Sequence, residues 1–143
     1  MAGGQPDTSI AGTLELIGDR WTFLILRDAF SGIHRFDDLQ ADLGIARNLL
    51  ADRLQKLVAH EILAKHQYCA HPPRFEYRLT PKGVDLSPAL VALKRWGDKH
   101  LAGGDPALVF VHDVCGEPLD QTFVCWHCDH TVTPGGIRSR TTT

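Results

Sequence analysis

Apolar residues recur at helical spacing from near the start of the chain. Ile10, Leu14 and Ile17 share one face of the stretch Thr8 to Ile17, with Thr8 or Ser9 placed to cap it. Gly18-Asp19 interrupts the pattern. The next stretch, Trp21 to Phe30, is apolar almost all round, with Trp21, Phe23, Leu24, Ile25, Leu26, Ala29 and Phe30, so it predicts a central, buried helix ended by Ser31-Gly32. Phe36, Leu39 and Leu43 predict a short third helix stopped by Gly44. From Ile45 to His60, Leu50, Leu54, Leu57 and Val58 form a single stripe. That stripe turns Asn48, Asp52 and Lys56 outward and leaves Arg47 in an exposed first turn.

The period changes after Glu61. Leu63–Ala70 and Arg74–Leu79 are rich in aromatic residues and predict two strands, joined at His71-Pro72-Pro73 because a proline pair cannot sit within a sheet ladder. Thr80-Pro81 opens a helix expected to run to about Leu101, with Leu86, Leu90, Leu93 and Trp96 along one side. Gly103-Gly104 marks a boundary. Beyond it, short strands are expected at Ala107–Val111 and Gln121–Trp126, then a loose tail from Pro134 to Thr143. No internal repeat is evident. The fold class is mainly α with a small β-hairpin: a helical domain over residues 8–102, a short β-rich Cys/His module over 105–133 and a flexible tail over 134–143.

Two helices joined by a tight turn and followed by a basic hairpin suit a DNA duplex. One helix lies in the major groove while the hairpin, or wing, reaches the neighbouring backbone or minor groove. Arg47 and Asn48 are suited to base edges, Arg pairing with guanine and Asn with adenine. Arg53 and Lys56 are expected to meet phosphate, Arg35 to anchor the backbone before the third helix, and Arg74, Lys65 and His71 to serve the wing. Arg47, Arg53 and Lys56 could instead only solvate an exposed helix face.

The net charge of −2 runs mildly against a nucleic-acid partner, but its distribution changes that picture. Between Ala64 and Lys82, Lys65, Arg74, Arg78 and Lys82 face Glu76 alone, whereas the chain from Asp105 onward is acidic. Asp37, Asp38, Asp42 and Asp52 disfavour strong nonspecific binding. The hydrophobic fraction of 43% and charged fraction of 22% are those of a globular protein. No run of residues approaches a membrane span, and MAGGQPDTS has no signal-peptide character, so a cytoplasmic location is the expectation.

Four strings carry a family likeness: LELIGDRWTFLILRDAF (Leu14–Phe30), RFDDLQADLGIARNLLADRLQKL (Arg35–Leu57), PPRFEYRLTPKG (Pro72–Gly83) and LKRWGDKH (Leu93–His100). They resemble the HxlR-type winged helix-turn-helix transcriptional regulators, relatives of the MarR group. The resemblance implies a homodimer joined through the first and last helices of residues 8–102. It also implies binding to a two-fold, double-stranded DNA operator, repression rather than activation, and a reading helix at Ile45–His60. Family members commonly carry a cysteine near the N-terminus. Thr8 stands there here, which argues against redox sensing at that position. Cys69, in the first wing strand, is read as a small strand residue. Trp21 and Trp96 are read as buried packing in the strings where the fold expects them.

His112-x2-Cys115 and Cys125-x2-Cys128 have the spacing of two metal-binding knuckles, and a structural zinc ion would give this short segment what packing cannot. His127 and His130 compete for the histidine position. A redox-active Cys125–Cys128 disulfide and uncoordinated thiols are the other two readings. No catalytic triad, P-loop or Gly-x-Gly-x-x-Gly site is present, so an enzyme is not expected. The rival function is a protein-interaction or redox/metal-sensing module on a winged helix that no longer binds DNA. The sequence carries no signature of an effector.

Overall fold

The computed structural model describes residues 8–101, 103 and 108–140. They divide after Ser87 into two compact units, Met1–Ser87 and Pro88–Thr143. In the first unit, α1 (Thr8–Ile17), α2 (Arg20–Phe30), α3 (Phe36–Leu43) and α4 (Arg47–Ala59) precede a hairpin of β1 (Leu63–Cys69) and β2 (Arg74–Leu79), followed by the one-turn helix α5 (Pro81–Val84). Thr8 and Ser9, expected to cap α1, both lie within the helix instead. Asp19 caps α2 by accepting a hydrogen bond from the Thr22 amide. At the other end of α2, Gly32 takes φ +87°, and at the end of α3 Gly44 takes φ +63°, both left-handed positions that favour glycine.

The core forms where the stripes converge. Ile17, Ile25, Leu26, Ala29, Leu39, Ile45, Leu50, Leu54, Leu57, Ile62, Leu63 and Tyr77 are all buried. Helix α2 buries residues all round its circumference, as its composition requires. Among them is the carboxyl of Asp28, paired with Arg27 at 3.0 Å. Burial pushes this carboxyl from its ordinary 3.8 up to about 6; the nearby Asp42 carboxylate adds to the rise, and Arg27 opposes it. A carboxyl whose folded pKa exceeds its unfolded value stabilises the fold while protonated. Stability should therefore fall as pH rises from about 4 to about 6 and stay lower above that. Asp28→Asn is expected to remove this fall, as read from urea midpoints at pH 4 and pH 7; an unchanged pH profile would contradict the assignment.

The hairpin pairs Leu63 with Leu79, Lys65 with Tyr77 and Cys69 with Arg74, with an irregularity between Gln67 and Cys69. Residues before α3 join its edge. Arg35 bridges to Glu76, and the Tyr77 amide donates to the His34 carbonyl at 2.7 Å. Between α4 and β1, Glu61 sits at φ +60° while the Ile62 amide closes back on the Leu57 carbonyl at 2.9 Å. This Schellman-type stop usually carries glycine at the left-handed position. Thr80 then donates through its hydroxyl to the Glu61 carbonyl at 2.5 Å, closing the hairpin base against the end of α4.

The single helix expected from Thr80 to Leu101 is instead two: α5, and α6 (Ser87–His100), which extends from the boundary into the second unit. Pro88 explains the break. It has no amide hydrogen to donate to the Val84 carbonyl, and its ring would collide with that carbonyl in a continuous helix. Here Pro88 occupies the first turn of α6, where its missing donor costs nothing. Gly83 fixes the geometry on the other side, since a Cβ there would lie 2.3 Å from the Ile62 carbonyl oxygen.

In the second unit, α6 buries Leu90 but exposes Leu93 and Trp96, so the expected burial of Trp96 is not met in the single chain. Its ring lies 5.0 Å from that of His100. Trp21, by contrast, is half-buried, with the Arg20 guanidinium 4.9 Å from its ring. The expected strand Ala107–Val111 lies partly outside the described residues. Strand pairing occurs at β3 (Phe123–Val124) with β4 (Thr131–Val132) and at an isolated bridge between Val111 and Pro118. A 3-10 turn at Pro134–Gly136 shows that the expected loose tail begins with local structure.

An internal repeat is present after all. Phe110-Val111-His112-Asp113-Val114-Cys115 aligns with Phe123-Val124-Cys125-Trp126-His127-Cys128 at an offset of 13 residues. The backbone repeats with it: Gly116 donates to the His112 carbonyl and Asp129 to the Cys125 carbonyl, each at 2.7 Å. His112 in turn donates to the Glu117 carbonyl, and Cys125 to the His130 carbonyl, each at 2.9 Å. Gly116 and Asp129 both take positive φ, at +75° and +58°. The pattern escapes a reading by identity because His replaces Cys at the first ligand position and most turn residues differ.

Candidate nucleic-acid interface

Helix α4 begins after the left-handed Gly44 and the extended Ala46, so its first turn projects from the α3–α4 corner without a side-chain cap. Arg47 and Asn48 occupy that turn and are exposed. The Arg47 guanidinium rests 4.7 Å from the Phe36 ring and 3.6 Å from the Asp37 carboxylate, a solvent-exposed pair that restrains it weakly. The Asn48 side-chain carbonyl accepts from the Leu49 amide at 3.0 Å, leaving its NH2 group pointing away from that bond.

The wing brings a second set of cations to the same side. A groove of about 290 Å3 is lined by Phe36, Asp37 and Arg47 from the helical corner and by Tyr68, Arg74 and Phe75 from the hairpin. The first turn of α4 and the wing tip thus share one depression. Arg35 lies over Tyr68 at 4.4 Å, and Lys65 over Phe75 at 4.2 Å. In each case the charged group itself sits over the ring, and the aromatic face holds the cation in place on an exposed residue. Arg78 differs. It pairs with Glu76 at 3.0 Å and holds that carboxyl below its ordinary value, so the net positive character of the wing rests on Lys65 and Arg74. His71 is exposed at the tip and precedes Pro72 through a cis peptide bond.

Arg53 and Lys56, expected to meet phosphate, are half-buried and make contacts within the fold. Arg53 Nε binds Asp19 Oδ1 at 3.2 Å and Arg53 Nη1 binds Asp52 at 2.6 Å. Lys56 Nζ donates to the Glu15 carbonyl at 2.7 Å. Both cations therefore fasten α4 to the N-terminal helices. Asp19 is the hub of this arrangement. Burial pushes its carboxyl up, but hydrogen bonds from the Thr22 hydroxyl and amide and from Arg53 outweigh that and hold it below the ordinary value. Sequence reasoning treated Asp19 only as punctuation. The N-cap spacing to Thr22 was the available signal, whereas its pairing with Arg53 spans 34 residues and leaves no local trace.

The metal-ligating candidates lie in the second unit. His112 Nδ1 and Cys115 Sγ are 3.3 Å apart. Among the described residues no three metal-ligating side chains converge on one point.

Three helices, a corner that projects the fourth, and a cation-bearing hairpin beside it define a winged helix-turn-helix transcriptional regulator. Residues 16–105 match the HxlR-like helix-turn-helix family, and the chain belongs to it. An uncharacterized HTH-type transcriptional regulator of Mycobacterium tuberculosis is 44% identical over 130 residues, covering 90% of this chain and 82% of that protein. Among solved structures, that of PA1607 is similar at 34% identity with a TM-score of 0.80, covering 96% of this chain and 97% of that one. The redox regulator HypR in its reduced form is 30% identical with a TM-score of 0.59, covering 63% of this chain and 90% of its own. The match to PA1607 thus takes in most of the second unit, whereas HypR matches a shorter stretch.

Proposed function

We propose that the protein is a sequence-specific DNA-binding repressor that acts as a homodimer on a two-fold operator. In this reading Arg47 and Asn48 meet base edges in the major groove, while Arg74, Lys65 and His71 meet the sugar-phosphate backbone beside it. Arg35 adds a phosphate contact at the base of the wing. Arg53 and Lys56 orient α4. The observation that carries the reading is the groove shared by Arg47 and Arg74, which couples a base-reading position to a backbone-reading one. Support for the dimer comes from exposed apolar side chains on the two helices that the family likeness names, Ile10 and Leu14 on α1 and Leu93 and Trp96 on α6.

The test is a mobility-shift titration on DNA flanking the protein's own gene at several salt concentrations. Arg47→Ala should weaken specific binding by about 1–3 kcal/mol and relax the preference at one base pair. Arg74→Ala should weaken binding to all sequences and reduce the salt slope by about one. Equal losses on specific and nonspecific DNA for both variants would overturn this division of roles. Failure to shift any duplex at low salt would favour the protein-interaction reading instead.

A further inference from the structure

We infer that residues 108–140 hold one zinc ion per chain through His112, Cys115, Cys125 and Cys128. The first ground is the repeat. Two hairpins, each closed by the same pair of backbone hydrogen bonds and each turning through a left-handed residue directly after its second candidate ligand, place four donors in equivalent positions. Ordinary turns have no reason to be duplicated in this way. Two knuckles that grip opposite sides of one ion do.

The repeat also selects the histidine. His112 aligns with Cys125, a ligand position, whereas His127 aligns with Val114 and His130 with Glu117. Neither Val114 nor Glu117 repeats a ligand, so His112 is the fourth donor and the other two histidines are turn residues. The donor set of three thiolates and one imidazole suits tetrahedral zinc and leaves no open coordination position.

The local geometry fits the ion. Ligands on a tetrahedral zinc, at about 2.3 Å for sulfur and 2.0–2.1 Å for nitrogen, stand about 3.5 Å apart. The His112–Cys115 separation of 3.3 Å is close to that edge. The two halves do not converge on a common point in the structure, and the ion would draw them together.

The second ground is the lack of a core. None of the described residues from 108 to 140 is buried, and the knuckle tips Val114 and Trp126 are 85% and 95% exposed. Two short hairpins without an apolar interior need a cross-link to persist, and metal coordination supplies one where packing is insufficient.

The experiment uses the full-length protein purified under reducing conditions without chelator. Metal analysis should find one zinc per chain. Thiol titration should leave Cys115, Cys125 and Cys128 protected until EDTA is added, with Cys69 reactive throughout. Cobalt should replace zinc and give the strong visible bands of a tetrahedral thiolate site. Cys125→Ser and His112→Ala should lose stoichiometric metal, while Cys69→Ser and His130→Ala keep it. Should the serine variant fail to fold, the thiol protection of the unaltered protein decides the matter alone. Protein that contains no zinc and takes up none on titration would overturn the inference. So would a Cys125–Cys128 disulfide under these reducing conditions, or metal loss in His130→Ala with retention in His112→Ala.

Discussion

Leu14→Asp is expected to convert the proposed dimer to monomers and to weaken operator binding by about 10²–10⁴-fold, the loss that follows when two linked reading heads become independent. Leu14 is 57% exposed and Ile10 66% exposed on the same face of α1, while Leu93 and Trp96 stand out from α6 at 53% and 59%. Large apolar side chains on a helix face lose roughly 1.5–3 kcal/mol each by remaining in water, so a second copy covering these faces would gain a good part of that. A buried aspartate at the centre of such a seam opposes closure through desolvation of its charge. Because Leu14 is exposed in the single chain, the substitution leaves the core intact. Light scattering and mobility shift should therefore change together while thermal stability of the isolated chain does not. A variant that stays dimeric with unaltered operator affinity would sink the assignment of α1 to the seam.

Leu54→Ala should cost about 2–5 kcal/mol of stability, the range for truncating a leucine in a packed core. Leu54 is 1% exposed, at the centre of the stripe that seats α4 with Leu50 and Leu57. The cavity would open directly beneath the reading helix. A lower urea midpoint with unchanged slope is the expected signature, together with weaker DNA binding as temperature rises. A loss below about 1 kcal/mol would mean that neighbouring side chains collapse into the space, and that α4 is seated mainly by its polar ties.

Much of this architecture is legible along the chain because its signals are local. The α1 stripe, the glycine stops after α2 and α3, and the proline-tipped hairpin each declare themselves within a few residues. The break after Thr80 is not legible in the spacing, because the apolar pattern continues across Pro88 and periodicity ignores the missing amide that breaks the ladder. The knuckle repeat stayed hidden because histidine and cysteine serve one coordination role without resembling each other. At the proposed interface, Arg47 and Arg74 follow from helix phase and turn chemistry. The inward placement of Arg53 and Lys56 does not. It depends on Asp19 and on the Glu15 carbonyl, groups far away in sequence that only the assembled fold brings within reach.

The tie from Lys56 to the end of α1 carries a mechanical consequence. A single ammonium links the helix assigned to subunit pairing with the helix assigned to base reading, at 2.7 Å and with no flexible loop between them. In the proposed dimer, a tilt of α1 on closure of the seam would reach α4 through this contact. The distance between the two proposed reading heads, and with it the operator spacing they would accept, would then depend on where the subunits meet as well as on where they touch the duplex.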